Sequence, residues 1–256
     1  MTRPIKANSV PEIKTARQLG RRQPVKPTLF VIFAREAYEA VILRRGPSAW
    51  YHVVRWNTQS DTFTPGAWLR GRIYAEKSDI SPDGELLLCF MHQGRKLGTG
   101  YKDSWNAISR SPWLHALWLL PQGTTYGGGG RFTDNRSVVV RQYSVGATTE
   151  AHPDHPGFGL NIAFEPNYQS IPLHASSREL EEAYWSGRDQ RGRLIYSIAG
   201  RLFVRQSDPT EDSSLADFSD CVSEPVPAPE FAMALLQPQR RDRIRRKRVA
   251  KAGKKL

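Results

Sequence analysis

The chain has little cysteine. Cys89 and Cys221 are the only two among 256 residues. They form no Cys-x-x-Cys pair, so neither a zinc ribbon nor a disulfide framework is indicated. Long hydrophobic runs are missing as well. The most apolar stretch, residues 113–120, is eight residues long and includes His115, whereas a membrane helix needs about 20. No apolar core of a secretory signal precedes residue 28, so a cytoplasmic location with no membrane contact is expected. Nucleotide-binding motifs are absent. Gly127-Gly128-Gly129-Gly130 is followed by Arg131-Phe132, where a P-loop needs Gly-Lys-Ser/Thr, so a wide turn between strands is expected there. Ser104, Ser109 and Ser111 lie near His115, but no Gly-x-Ser-x-Gly elbow surrounds them. No cofactor is implied by any motif.

What is present is positive charge, and it sits at the two ends. Residues 1–27 carry seven basic side chains against Glu12, a sum of +6. Residues 240–256 carry ten against Asp242, a sum of +9. Out of a total of +12, this leaves −3 for residues 28–239. The pI near 10 therefore describes two arms around a mildly acidic body. Residues 1–27 contain Pro4, Pro11, Pro24 and Pro27 without apolar periodicity and read as a disordered basic arm, and 240–256 read as a disordered basic tail. The body is long enough for one well-buried domain.

The body reads as all-β. Thr28-Leu29-Phe30-Val31-Ile32-Phe33, Ala40-Val41-Ile42-Leu43, Trp50-Tyr51-His52-Val53-Val54-Arg55-Trp56 and Thr62-Phe63-Thr64 are short strand-like runs separated by turn residues. Pro82-Asp83-Gly84 is a turn in which Pro fixes φ and Gly accepts a positive one. The run after it, Leu86-Leu87-Leu88-Cys89-Phe90, predicts a strand buried on both faces, with Cys89 as a small buried hydrophobe. Strands are also predicted at 113–120 and 137–141. Arg193-Leu194-Ile195-Tyr196-Ser197 and Arg201-Leu202-Phe203-Val204 flank Ala199-Gly200 as a hairpin. One helix is predicted at about 177–185, opened by Ser176-Ser177-Arg178-Glu179 and ended by Gly187. Leu86, Leu87, Leu88, Phe90, Leu194, Tyr196 and Phe203 are the predicted core.

A faint internal echo lays Asp79-Ile80-Ser81-Pro82-Asp83-Gly84 on Asp189-Gln190-Arg191-Gly192, with residues 50–64 as a third related unit. Ser81-Pro82-Asp83-Gly84 before Glu85-Leu86-Leu87 resembles the motif that opens strands in β-propeller blades. Asn57-Thr58-Gln59-Ser60-Asp61-Thr62-Phe63 resembles the inter-strand turn of kelch-type propeller repeats. Gly71-Arg72-Ile73-Tyr74, Trp105-Asn106-Ala107-Ile108-Ser109-Arg110 and the glycine run with Arg131-Phe132 add a similarity to an uncharacterised group of bacterial proteins across most of residues 28–205. The resemblance implies propeller-like repeated antiparallel sheets, with a β-sandwich as the alternative, and carries no function.

Candidate sites are few. The tail residues Arg240, Arg241, Arg243, Arg245, Arg246, Lys247 and Arg248 form a dense positive field suited to phosphates. His152, Asp154 and His155, with His174 at a distance, are the residues from which a metal-assisted site would be built. Pro153 and Pro156 suggest that this segment is a solvent-exposed loop. Glu179, Glu181 and Glu182 read as a solvated helix start. Of seven tryptophans, Trp68 and Trp105 sit beside turns and are the surface candidates; the rest are expected in the core. The expected function is binding or scaffolding without catalysis. In that reading the arms contact nucleic acid or another polyanion non-specifically, and the body contacts a protein or ligand. The alternative is a hydrolase with its site near His152 and His155.

Overall fold

The structure, a computed structural model, describes residues 26–46, 49–94, 101–142, 148–166, 180 and 183–237. The two arms, apart from Lys26 and Pro27, lie outside the described residues. So do His174, Glu179, Glu181, Glu182 and most of the expected helix.

The described chain is all-β, in four sheets, none of which closes on itself. The first is an antiparallel meander of β1 (Thr28–Phe33), β2 (Glu39–Arg45), β3 (Trp50–Asn57) and β4 (Thr62–Arg70). The second contains β5 (Arg72–Ile73), β6 (Asp79–Ile80), β7 (Leu86–His92), β8 (Ser104–Arg110) and β9 (Ala116–Pro121). Its order is β5-β7-β8-β9, with β6 also paired to β7. The third has β10 (Gly130–Phe132), β11 (Ser137–Gln142) and β12 (Asn161–Pro166), of which β11 and β12 run parallel. The fourth is another meander, β13 (Trp185–Arg188), β14 (Leu194–Ile198), β15 (Arg201–Val204) and β16 (Ser213–Asp217). A single turn of helix, α1 (Glu230–Met233), follows.

Strand β7 shows how sequence period becomes packing. Side chains alternate across a strand. Leu87, Cys89 and Met91 enter a core shared with the first and fourth sheets. Leu86 and Leu88 enter a second core with Ile108, Trp118, Phe132, Val138 and Val140. All six residues from Leu86 to Met91 are buried, as a run with no polar alternation requires. Burial pushes the Cys89 thiol up to about 12, so it stays a neutral apolar group.

The echo between turns has a geometric counterpart. Gly84 N–H donates to Ser81 O and Gly192 N–H to Asp189 O, at 2.8 and 2.9 Å, and the two glycines have φ of 78° and 77°. The hairpin at Ala199-Gly200 is as expected, with φ of 52° and 85°.

Several expectations are corrected. Trp185 begins β13 and Gly187 lies inside it, so no helix extends to 185. Tyr184 N–H donates instead to Ser197 O; pairing with β14 overrides the local helical pattern. Residues 113–115 are not strand: a turn closed by the hydrogen bond from Trp113 N–H to Arg110 O precedes β9, which starts at Ala116. β4 runs through Pro65-Gly66 with an irregular register, past the end of the Thr62-Phe63-Thr64 run. Leu194 and Phe203 are only half-buried. Phe203 pairs with Tyr196 on the outer face of the hairpin, while Ile195, Leu202 and Val204 take the core.

Candidate functional site

The strongest built recess lies on one face of the first sheet. Register sets Arg44 opposite His52 and His52 opposite Trp68, so the three side chains form a row. Trp50, two residues from His52, shares that face. The His52 ring stacks flat on Trp68, centroids 4.1 Å apart, and Trp50 meets Trp68 edge-on at 6.4 Å. Arg44 is fully buried. Its guanidinium donates to the carbonyls of Phe218 (2.6 Å), Cys221 (3.1 Å), Ser219 (3.3 Å) and Gly46. It thereby straps the segment after β16 across the sheet. A cavity of about 280 Å³ remains between strap and sheet, walled by Trp50, Trp68, Cys221 and Val222.

The charges in this recess follow from burial. Desolvation lowers the Arg44 pKa, while nearby Cys221 and Asp220 oppose that shift. Desolvation also takes His52 down to about 4, helped by the Arg44 charge and opposed by the Gly66 backbone. His52 is thus a neutral ring at pH 7, and neither of its nitrogens has a partner in good hydrogen-bonding geometry. Such a pocket accepts a flat or apolar group.

The His152 segment is a loop with Pro153, Asp154 and Pro156 exposed, as expected, but its backbone is not free. It lies along the free edge of β9, with His152 N–H donating to Leu119 O, Leu119 N–H to His155 O and Gly157 N–H to Leu117 O. Covering an edge in this way satisfies backbone groups that would otherwise be open. His152 is consequently buried. Tyr101 stacks on it at 4.0 Å and reaches His155 Nε2 through its hydroxyl at 3.2 Å. Asp154 N–H donates to His152 Nδ1, which commits that lone pair. The His155 pKa is lowered by burial, against a hydrogen bond from its ring to the Ala116 backbone and with help from His152 and His115. The sequence did not nominate Tyr101, nor His115 as a neighbour of His155, although the rings of His115 and His155 sit 6.2 Å apart. Among the described residues no group of three His, Cys, Asp or Glu side chains is placed to hold a metal ion.

The glycine run is a packing device. A Cβ on Gly128 would lie 2.5 Å from the Phe90 ring, and one on Gly129 would lie 2.4 Å from Lys77 O. The Lys77 ammonium donates to Gly127 O at 2.8 Å and lies near the Tyr74 and Phe90 rings. The space a phosphate would need beside these glycines is filled by protein. Trp105 is buried in β8, contrary to the surface placement expected; Trp68 is half-buried and lines the recess. Arg240, Arg241, Arg243, Arg245, Arg246, Lys247 and Arg248 lie outside the described residues.

Among the described residues no helix is long and apolar enough to cross a membrane. No family model, no curated protein and no solved structure matches the chain.

Proposed function

We propose that this is a non-enzymatic binding or scaffold protein of the cytoplasm. Its basic ends hold nucleic acid or another polyanion, and its β body engages a second partner, with the Trp50–Trp68 recess as the contact. The observation that carries this reading is the charge partition: +6 and +9 at the ends against −3 between them. Phosphate contacts by such ends release counterions and read no sequence. The body is a propeller-like array. Two four-stranded meanders support that, as does the packing of β1 against β6, β13 and β14.

The test titrates duplex DNA and single-stranded RNA with the whole chain and with a variant in which the seven cations from Arg240 to Lys247 and Arg248 are glutamine. Binding by the parent should weaken steeply with salt, by about 0.9 in log K per contacted phosphate for each decade of salt on duplex DNA. The variant should lose most of that slope. Equal binding by the two proteins would place recognition on the folded body instead.

A further inference from the structure

A second recess lies between the first and second sheets, and its chemistry differs from that of the tryptophan pocket. It measures about 340 Å³ and is walled by Arg45, Tyr51, Arg72 and His92, with Ala49, Gly71 and Gly94 leaving the space open. Pairing registers explain why these residues meet. Arg45 faces Tyr51 across β2 and β3. Arg72 faces His92 across β5 and β7. The turn at Gly71, whose N–H donates to Ala49 O, brings the two pairs together. Gly71 must be small here, because a Cβ would lie 2.8 Å from His92 O.

We propose that this recess binds a small organic phosphate, with Arg45 and Arg72 gripping the phosphoryl oxygens and the Tyr51 hydroxyl donating to one of them. Arg45 and Arg72 are exposed, and neither has a carboxylate partner among the described residues; Arg72 lies over the Tyr74 ring at 4.7 Å. Two guanidinium groups from different sheets therefore line one recess, an arrangement that suits a dianion. Both guanidinium charges pull the pKa of the Tyr51 phenol down, against the larger effect of burial. Burial is the larger influence on that phenol and raises its pKa, so it remains an O–H donor at neutral pH. Two carboxylates stand nearby. Asp103 sits 3.8 Å from His92 and is half-exposed, and Glu76 has the weakest effect on Tyr51. The cavity is larger than a bare phosphate needs and falls in the size range of small-ligand sites, which favours a phosphomonoester with an organic part over the free ion.

Calorimetric titration of the whole chain with phenyl phosphate and with inorganic phosphate at physiological salt tests this. One phenyl phosphate should bind per chain, more tightly than inorganic phosphate. The Arg45→Gln, Arg72→Gln double variant should bind at least tenfold more weakly, while the tail-glutamine variant should bind as the parent does. In the parent, the Nε–H resonances of Arg45 and Arg72 should shift on titration. Undiminished binding by the double variant, no binding by the parent, or resonances that stay still would each overturn the proposal. Because both arginines are exposed, the double variant is expected to fold, which unchanged circular dichroism would verify. Loss of binding in the tail variant alone would assign the affinity to the tail and sink this site, leaving the polyanion reading of the ends intact.

Discussion

The Arg193 guanidinium grips Asp61 with 2.8 Å hydrogen bonds to both carboxylate oxygens, joining residues 132 positions apart. A third bond, from Nε to the fully buried Asp189, is 2.7 Å long. The arrangement ties the β3–β4 turn of the first sheet to the β13–β14 turn of the fourth. It lowers the Asp61 pKa, chiefly through the Arg193 hydrogen bonds, and raises that of Arg193. Arg193→Ala leaves Asp189 buried without its cation. The pair with Asp61 is partly exposed and so worth less than a fully buried one. A loss of about 2–3 kcal/mol is expected by urea denaturation, with partial recovery in Arg193→Lys, which cannot form the fork.

Leu87→Ala removes a fully buried side chain from the main core. It should cost roughly 2–5 kcal/mol. Leu194→Ala, at a half-buried position, should cost clearly less. Equal losses measured by denaturant unfolding would contradict the division of inner and outer faces described above.

Acid should weaken the protein through His52. Its folded pKa of about 4 lies below the ordinary value of 6.5, so between those values the unfolded chain binds more protons. Stability is then complete above about pH 6.5 and declines as pH falls towards 4. At about 1.4 kcal/mol per unit the loss approaches roughly 3 kcal/mol. The lowered His155 acts in the same direction. Urea midpoints at pH 7 and pH 4.5 measure this, and in His52→Gln the difference between them should shrink.

Two glycine substitutions separate strain from crowding. Gly192 has φ of 77° and open space around its missing Cβ, so Gly192→Ala should cost about 1–2 kcal/mol, from the left-handed backbone alone. Gly128→Ala meets the same backbone penalty and also the Phe90 ring. A loss of about 2–4 kcal/mol is expected once overpacking is added. Thermal melts of the two variants should rank accordingly.

Much of the strand pattern was legible locally. Apolar runs such as Leu86-Leu87-Leu88-Cys89-Phe90 and turn residues such as Pro82, Gly84 and Gly200 carry their conformation in their own chemistry. The charge partition was likewise a property of order along the chain. The expectation of helix as far as 185 failed at its end because Trp185 gains more from pairing with β14 than its local pattern reveals. The burial of His152 within its loop was not legible because sequence cannot show that an edge strand, β9, needs covering.

The sites lay beyond local reading for the same reason. Arg44 carries no sign, in sequence, that its partners will be carbonyls 174 to 177 positions away. Arg45 and Tyr51 belong to one sheet, Arg72 and His92 to another. By itself the sequence determined many of the strands and turns, and where charge would accumulate, since each of these depends largely on neighbours in the chain. Only the tertiary structure decided which side chains share a recess, because that depends on register between strands and on how sheets pack, and both are set by non-local burial.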